Sequence, residues 1–265
     1  MPSSQNYVKF GTAMAIGIMA GLLGGMFGVG GGLIIVPALA GIAKMERRRA
    51  SGTSLAATLP IAAAALVTYV AQGNVDWAVA LCLAIGSISG AIIGTHLLSV
   101  IPRNRLTIIF VVTVLATAAR LVIGTETTGR SDLTIAMVTM LILVGLFTGT
   151  LAGLLGIGGG VIMVPAMVVM FGMLPIVAKG TSVAVIVPTS IMGTIRNRKN
   201  ANVDLRVAAI VGGFGAISAV AGGLIASDLS DRASNVMFAF LLVVVAATQL
   251  ATLRKPKQPT QSFED

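Results

Sequence analysis

The sequence predicts an all-α polytopic membrane protein made of two inverted-topology repeats, each a glycine-tipped broken helix or hairpin plus three transmembrane helices. Three observations predict it: a charge-poor apolar composition, a long internal repeat, and basic loops that change sides between the copies. Of 265 residues, 56% are hydrophobic and 10% charged, with a mean hydropathy of +0.97. Soluble domains carry about 25% charged residues, so lipid is the solvent for most of this chain. A spanning helix takes about 20 apolar residues, which leaves room for roughly eight helices and no soluble domain. The net charge of +9 sits in short loops between apolar runs. There it sets topology, and nucleic acid is not an expected partner. The single cysteine, Cys82, excludes an intrachain disulfide.

The repeat aligns at an offset of about 128 residues without a gap. Gly28-Val29-Gly30-Gly31-Gly32 matches Gly156-Ile157-Gly158-Gly159-Gly160, and Pro37 matches Pro165. Gly52-Thr53-Ser54 matches Gly180-Thr181-Ser182, Pro60 matches Pro188, and Asn74-Val75-Asp76 matches Asn202-Val203-Asp204. Between Gly21–Pro60 and Gly149–Pro188, roughly 18 of 40 positions are identical, well above chance even for this composition. The whole chain, 1–265, reads as one membrane domain, with repeat 1 over 8–124 and repeat 2 over 132–253. Residues 254–265 read as a disordered cytoplasmic tail.

Each copy gives the same series of apolar segments. They are Phe10–Phe27, Leu33–Ala43, Ala50–Ala71, Val75–Val100 and Leu106–Ile123, then Leu133–Leu155, Val161–Phe171, Ala178–Ile195, Val203–Ala226 and Ala233–Leu253. The second segment of each copy is too short to span alone and follows the glycines directly, as in a hairpin or broken helix. The basic loops of copy one are Lys44–Arg49 and Pro102–Arg105, whereas Gln72–Asp76 has no cation. In copy two Gly172–Lys179 holds one cation, Arg196–Asn200 three, and Ser227–Arg232 two aspartates against one arginine. Equivalent loops therefore fall on opposite sides, which makes the modules an inverted pair with both termini in the cytoplasm.

Three consecutive glycines inside a membrane segment need a reason, because glycine is poor in a helix and an unpaired amide in hydrocarbon is costly. A helix that stops at the glycines and restarts exposes free N–H groups and the positive end of its dipole, a ready anion site. Gly30, Gly31, Gly32, Gly158, Gly159 and Gly160 are therefore candidate substrate-binding residues. Thr53, Ser54, Thr181 and Ser182 add hydroxyl donors, with N-capping of the following helix as the competing role. Pro37, Pro60, Pro165 and Pro188 are candidate helix breaks. Asn74, Asp76, Asn202 and Asp204 read as turn or cap residues. The ridges Gly21-x-x-x-Gly25, Gly86-x-x-x-Gly90-x-x-x-Gly94 and Gly145-x-x-x-Gly149-x-x-x-Gly153 read as helix-packing surfaces. A dinucleotide loop is excluded, since the spacing is not G-x-G-x-x-G and no strand–helix–strand unit follows.

The pairing of G-x-G-G-G-x-x-x-x-P with a downstream A-x-G-T-S occurs twice, over Gly28 to Pro37, Ala50 to Ser54, Gly156 to Pro165 and Ala178 to Ser182. This resembles the TauE/SafE sulfite exporter family, also called the toluene sulfonate uptake permease family. The Gly73-Asn74-Val75-Asp76 turn is similar to the family too; in copy two Ala201 replaces the glycine. The resemblance covers nearly the whole chain. It implies a transporter, an exporter, of sulfite, sulfonates or related small anions in a prokaryotic plasma membrane. A passive small-anion channel of the same architecture is the alternative.

No apolar segment has Asp or Glu near its middle. Membrane carboxylates are the usual proton and sodium relays, so carboxylate coupling is not expected. Arg120 and His96 lie near segment ends, where snorkelling or loop contact accounts for them; Arg120 otherwise adds positive potential to an anion path. One Cys and one His make no metal centre. No cofactor, metal or enzymatic activity is expected.

Overall fold

The computed structural model describes residues 8–97, 133–199 and 201–254, with isolated helical positions between 108 and 119. Among the described residues the regular elements are α-helices. They are α1 (Phe10–Phe27), α2 (Gly32–Gly41), α3 (Arg47–Ala71), α4 (Trp77–Leu97), α5 (Ile135–Leu155), α6 (Gly160–Phe171), α7 (Pro175–Lys199), α8 (Leu205–Asp228) and α9 (Asp231–Arg254). Six of them, α1, α3, α4, α5, α7 and α8, contain stretches long and apolar enough to cross a membrane. The 10 residues of α2 and 12 of α6 reach only ~15–18 Å at about 1.5 Å per residue. Most of the expected segment Leu106–Ile123, the loop Pro102–Arg105, Arg120, the side chain of His96 and residues 255–265 lie outside the described residues.

Glycine ridges decide which helices touch. A Cβ built on Gly86, Gly90 or Gly94 of α4 would overlap the carbonyl oxygen of Ile142, Leu146 or Thr150 on α5. In return, a Cβ on Gly145 or Gly149 of α5 would overlap that of Leu83 or Ser87 on α4. The equivalent pair behaves alike: Gly17, Gly21 and Gly25 of α1 press on the backbone of Val211, Gly215 and Ala219 in α8. The small-residue ridges thus pack helices, as the sequence predicts.

The modules also meet through α3 and α7. Gly52, near the start of α3, abuts the carbonyl of Asn202 just past the end of α7. Gly180, near the start of α7, abuts the carbonyl of Asn74 just past the end of α3. These equivalent helices therefore run antiparallel, and their contacts are reciprocal, as across a two-fold axis. Thr53 Oγ1 accepts from the Asp204 amide at 2.9 Å, and Thr181 Oγ1 accepts from the Asp76 amide at 3.0 Å. Each aspartate in turn caps the next helix, Asp204 accepting from Val207 N and Asp76 from Val79 N, both at 3.1 Å. The turn-and-cap reading of Asp76 and Asp204 holds. We expect Thr53→Val and Thr181→Val each to cost about 1 kcal/mol, because each removes the partner of a partly buried amide. Equilibrium unfolding in detergent checks this, with the double variant close to additive.

Three expectations are corrected. Thr53, Ser54, Thr181 and Ser182 do not cap their own helices, because α3 and α7 begin at Arg47 and Pro175, six residues before the threonines. The helices also run uninterrupted through Pro37, Pro60, Pro165 and Pro188. One proline removes one hydrogen bond, whereas unwinding in an apolar interior strands several polar groups. Finally, Lys179 is not a loop cation: it lies in the second turn of α7 and is 2% exposed. Proline is tolerated in a first turn, so Pro175 starts the helix where the sequence suggested a loop.

Candidate functional site: the glycine junction

Each hairpin tip is built by glycines that adopt the left-handed region. Helix α1 ends at Gly28 (φ 69°), whose amide bonds to Gly24 O, and Gly30 and Gly31 (φ 73° and 79°) carry the reversal. Ile34 and Ile35 then donate to Gly31 O and start α2. The second copy repeats this with Gly156, Gly158 and Gly159 at φ 71°, 84° and 69°, and with Ile162 and Met163 donating to Gly159 O. An L-residue pays roughly 1–2 kcal/mol at each such position, which is why the motif is glycine.

The structure brings the two tips together. A Cβ on Gly32 would lie 2.9 Å from Gly156 O, and one on Gly160 would lie 2.6 Å from Gly28 O. One on Gly158 would lie 3.3 Å from Val29 O. Residues 28–32 and 156–160 are all buried. All six candidate glycines therefore belong to one junction. No side chain caps the start of α2 or α6. Two helix starts thus bring their first amides, and the positive ends of their dipoles, into one buried region.

The hydroxyl candidates divide. Ser54 and Ser182 reach the junction: Ser54 Oγ donates to Gly156 O at 2.9 Å, and Ser182 Oγ lies 2.9 Å from the Cβ position of Gly160. Thr53 and Thr181 instead hold the Asp204 and Asp76 turns described above.

Three residues at or beside the junction were not expected there. Thr58 packs between the tips, its methyl 2.9 Å from the Cβ position of Gly30 and 3.7 Å from that of Gly158. Tyr69 donates to Gly25 O at 2.7 Å and so satisfies a carbonyl in the last turn of α1. Lys179 packs its backbone against Gly28, while its ammonium donates to Ser234 of α9 and lies 5.8 Å from the Phe27 ring centroid. Phe27 itself stacks on Phe238 of α9 at 5.4 Å. A signal for Lys179 was present: it fills the variable position of Ala178-x-Gly180-Thr181-Ser182, the motif that lies against the opposite tip.

The groups gathered here are backbone amides, backbone carbonyls and hydroxyls, with the Lys179 ammonium turned toward Ser234 and Phe27. No group of three or more His, Cys, Asp or Glu able to hold a metal ion occurs among the described residues.

A sequence model of the family described as "Sulfite exporter TauE/SafE" matches residues 2–121 and 141–264. The chain is 26% identical over 221 residues to "Probable membrane transporter protein YunE" of Bacillus subtilis, covering 74% of this chain and 81% of that protein. It is 28% identical over 251 residues to a "Probable membrane transporter protein" of Xylella fastidiosa, covering 90% and 92% of the two chains. A similar protein of Methanocaldococcus jannaschii, "Probable membrane transporter protein MJ0441", is 29% identical over 191 residues, 68% of this chain and 69% of that one. No solved structure matches.

Proposed function

The chain belongs to the sulfite exporter TauE/SafE family, and on that premise we propose that it exports small sulfur-containing anions, sulfite or organosulfonates, across a prokaryotic plasma membrane. The observation that carries the reading is the junction itself: two uncapped helix starts, one from each module, abut, with no carboxylate between them among the described residues. Such starts attract negative charge and discriminate against cations.

The modules are inverted repeats that work by alternating access. The antiparallel course of α3 and α7 and the reciprocal Thr53–Asp204 and Thr181–Asp76 bonds support this. Charge supports the orientation. Lys44, Arg48 and Arg49 cluster where α3 begins, beside Arg196, Arg198 and Lys199 where α7 ends, and that end is the cytoplasmic one. With Lys179 removed from the loop inventory, the Gly172–Leu174 connection has no cation, which sharpens the asymmetry. Both termini are then cytoplasmic. The Arg49–Asp204 ion pair at 2.9 Å is 38% and 23% exposed and links the modules at this end.

Export runs on the membrane potential. An inside-negative 100 mV favours exit of each net negative charge by about 2.3 kcal/mol. In proteoliposomes with equal pH on both sides, clamping the potential to zero is expected to stop concentrative sulfite transport. Concentrative transport that continues unchanged contradicts this drive.

A further inference from the structure

The two halves of the junction are equivalent in the repeat but not in chemistry. The end of α5 is capped by two serines of α3: Ser51 Oγ donates to Leu155 O at 3.2 Å and Ser54 Oγ to Gly156 O at 2.9 Å. The matching end of α1 is served differently. Lys179 stands in the place of Ser51, and Tyr69 satisfies Gly25 O from α3. Ser182, the counterpart of Ser54, is left with no hydrogen-bond partner although it is 0% exposed. Three other buried hydroxyls share this state, Thr58, Ser190 and Thr194, and Thr58 is the one at the junction. Thr58 Oγ1 is also partnerless at 0% exposure, and its counterpart in the repeat is Ile186, which offers no polar group.

Both side chains lie at the glycine junction, Ser182 through its hydroxyl and Thr58 through its methyl. Ser182 Oγ lies beside Gly160, the first residue of the 12-residue α6, and Thr58 packs between Gly30 and Gly158. A buried hydroxyl without a partner is costly, and native interiors hold few. Two at one junction, beside an uncapped helix start, are the donors expected where a ligand completes the bonding.

We propose that the start of α6, with Ser182 and Thr58, is the oxyanion subsite, and that the opposite half, where Ser54 is already engaged by Gly156 O, is its scaffold. This rests on the junction being the transporter's anion site, and adds that the halves are unequal and that Thr58 takes part. Hydroxyl and amide donors are neutral and directional, so they suit the oxygens of a compact oxyanion such as sulfite or a sulfonate head group. Ile186 packs against both Gly30 and Gly160, its Cγ2 lying 3.0 Å and its Cδ1 2.8 Å from their respective Cβ positions. That apolar side suits the organic part of a sulfonate.

The test is calorimetric titration of the purified full-length protein in detergent with sulfite and with ethanesulfonate. Ser182→Ala and Thr58→Val are each expected to weaken sulfite binding about tenfold or more, the size of one hydrogen bond to a charged group. Ser51→Ala, which removes only the cap on Leu155, leaves affinity unchanged, and Ser54→Ala weakens binding less than Ser182→Ala. Without ligand, Thr58→Val is expected to unfold at the same temperature as the wild type or higher, since it removes an unmet polar group at nearly constant volume. Lost affinity in that variant is therefore not misfolding. The subsite is overturned if wild-type protein binds sulfite and both Ser182→Ala and Thr58→Val bind it as tightly. It is also overturned if Ser54→Ala matches Ser182→Ala, since the site is then symmetric. A wild-type protein that binds neither anion overturns the anion-transporter reading and the subsite with it.

Discussion

Replacing Gly31 and Gly159 together by leucine is expected to abolish transport, lowering the rate at least about 100-fold, equivalent to ~2.7 kcal/mol. Both residues sit at positive φ, 79° and 69°, where an L-residue pays roughly 1–2 kcal/mol. They are also the residues immediately before α2 and α6, so any relaxation re-aims the helix starts themselves. The obstacles differ. A Cβ on Gly31 would lie 2.8 Å from the carbonyl oxygen of Ala20, which is backbone of α1, whereas one on Gly159 meets first the flexible end of Met163 at 3.2 Å. Gly31→Leu alone should therefore damage transport more than Gly159→Leu alone. Uptake into proteoliposomes, on protein that remains monodisperse in detergent, measures both. Transport that survives in the double variant with unchanged substrate affinity means that the glycines only pack helices.

Gly90→Leu is expected to prevent folding altogether. A Cβ at Gly90 overlaps the Leu146 carbonyl of α5, and the reciprocal contact of Gly149 with Ser87 fixes the same separation from the other side. The obstacle is backbone on a continuous helix, so no rotamer change relieves it. Prising α4 from α5 also loosens the neighbouring contacts of Gly86, Gly94 and Gly145. Overpacking one core site usually costs about 1–3 kcal/mol; here the cost extends along a whole helix pair. Gly213→Leu is the contrast, since that glycine is exposed and has nothing within 4 Å of its Cβ position. Expression followed by size-exclusion chromatography should show a monodisperse peak for Gly213→Leu and none for Gly90→Leu.

Much of this was legible in the sequence, for identifiable reasons. Helix α1 spans the segment Phe10–Phe27 as read, because glycines close it on one side and a sharp polar boundary on the other. The three-glycine clusters marked the tips because few sequences need consecutive positive-φ residues. The starts of α3 and α7 were misplaced because Arg47–Arg49 and Pro175 look like loop, and helix starts tolerate both polar residues and proline. The four prolines misled in the other direction: local propensity predicts a break, but an interior without water holds the helix together. Thr58 and Tyr69 carried no local signal. Their roles arise from contacts across the fold, Thr58 with both tips and Tyr69 with α1. The asymmetry between Ser54 and Ser182 was hidden for the same reason, since both end the same A-x-G-T-S motif, which differs only at Ser51 and Lys179.

The central claim is that the junction of the two modules carries a small sulfur oxyanion. Sulfite counterflow tests it most directly. Proteoliposomes loaded with unlabelled sulfite and diluted into trace labelled sulfite should accumulate label transiently above its equilibrium level. The overshoot should vanish in the Gly31→Leu, Gly159→Leu double variant. Label that rises to equilibrium without overshoot in wild-type vesicles, or an overshoot of the same size in the double variant, would contradict it.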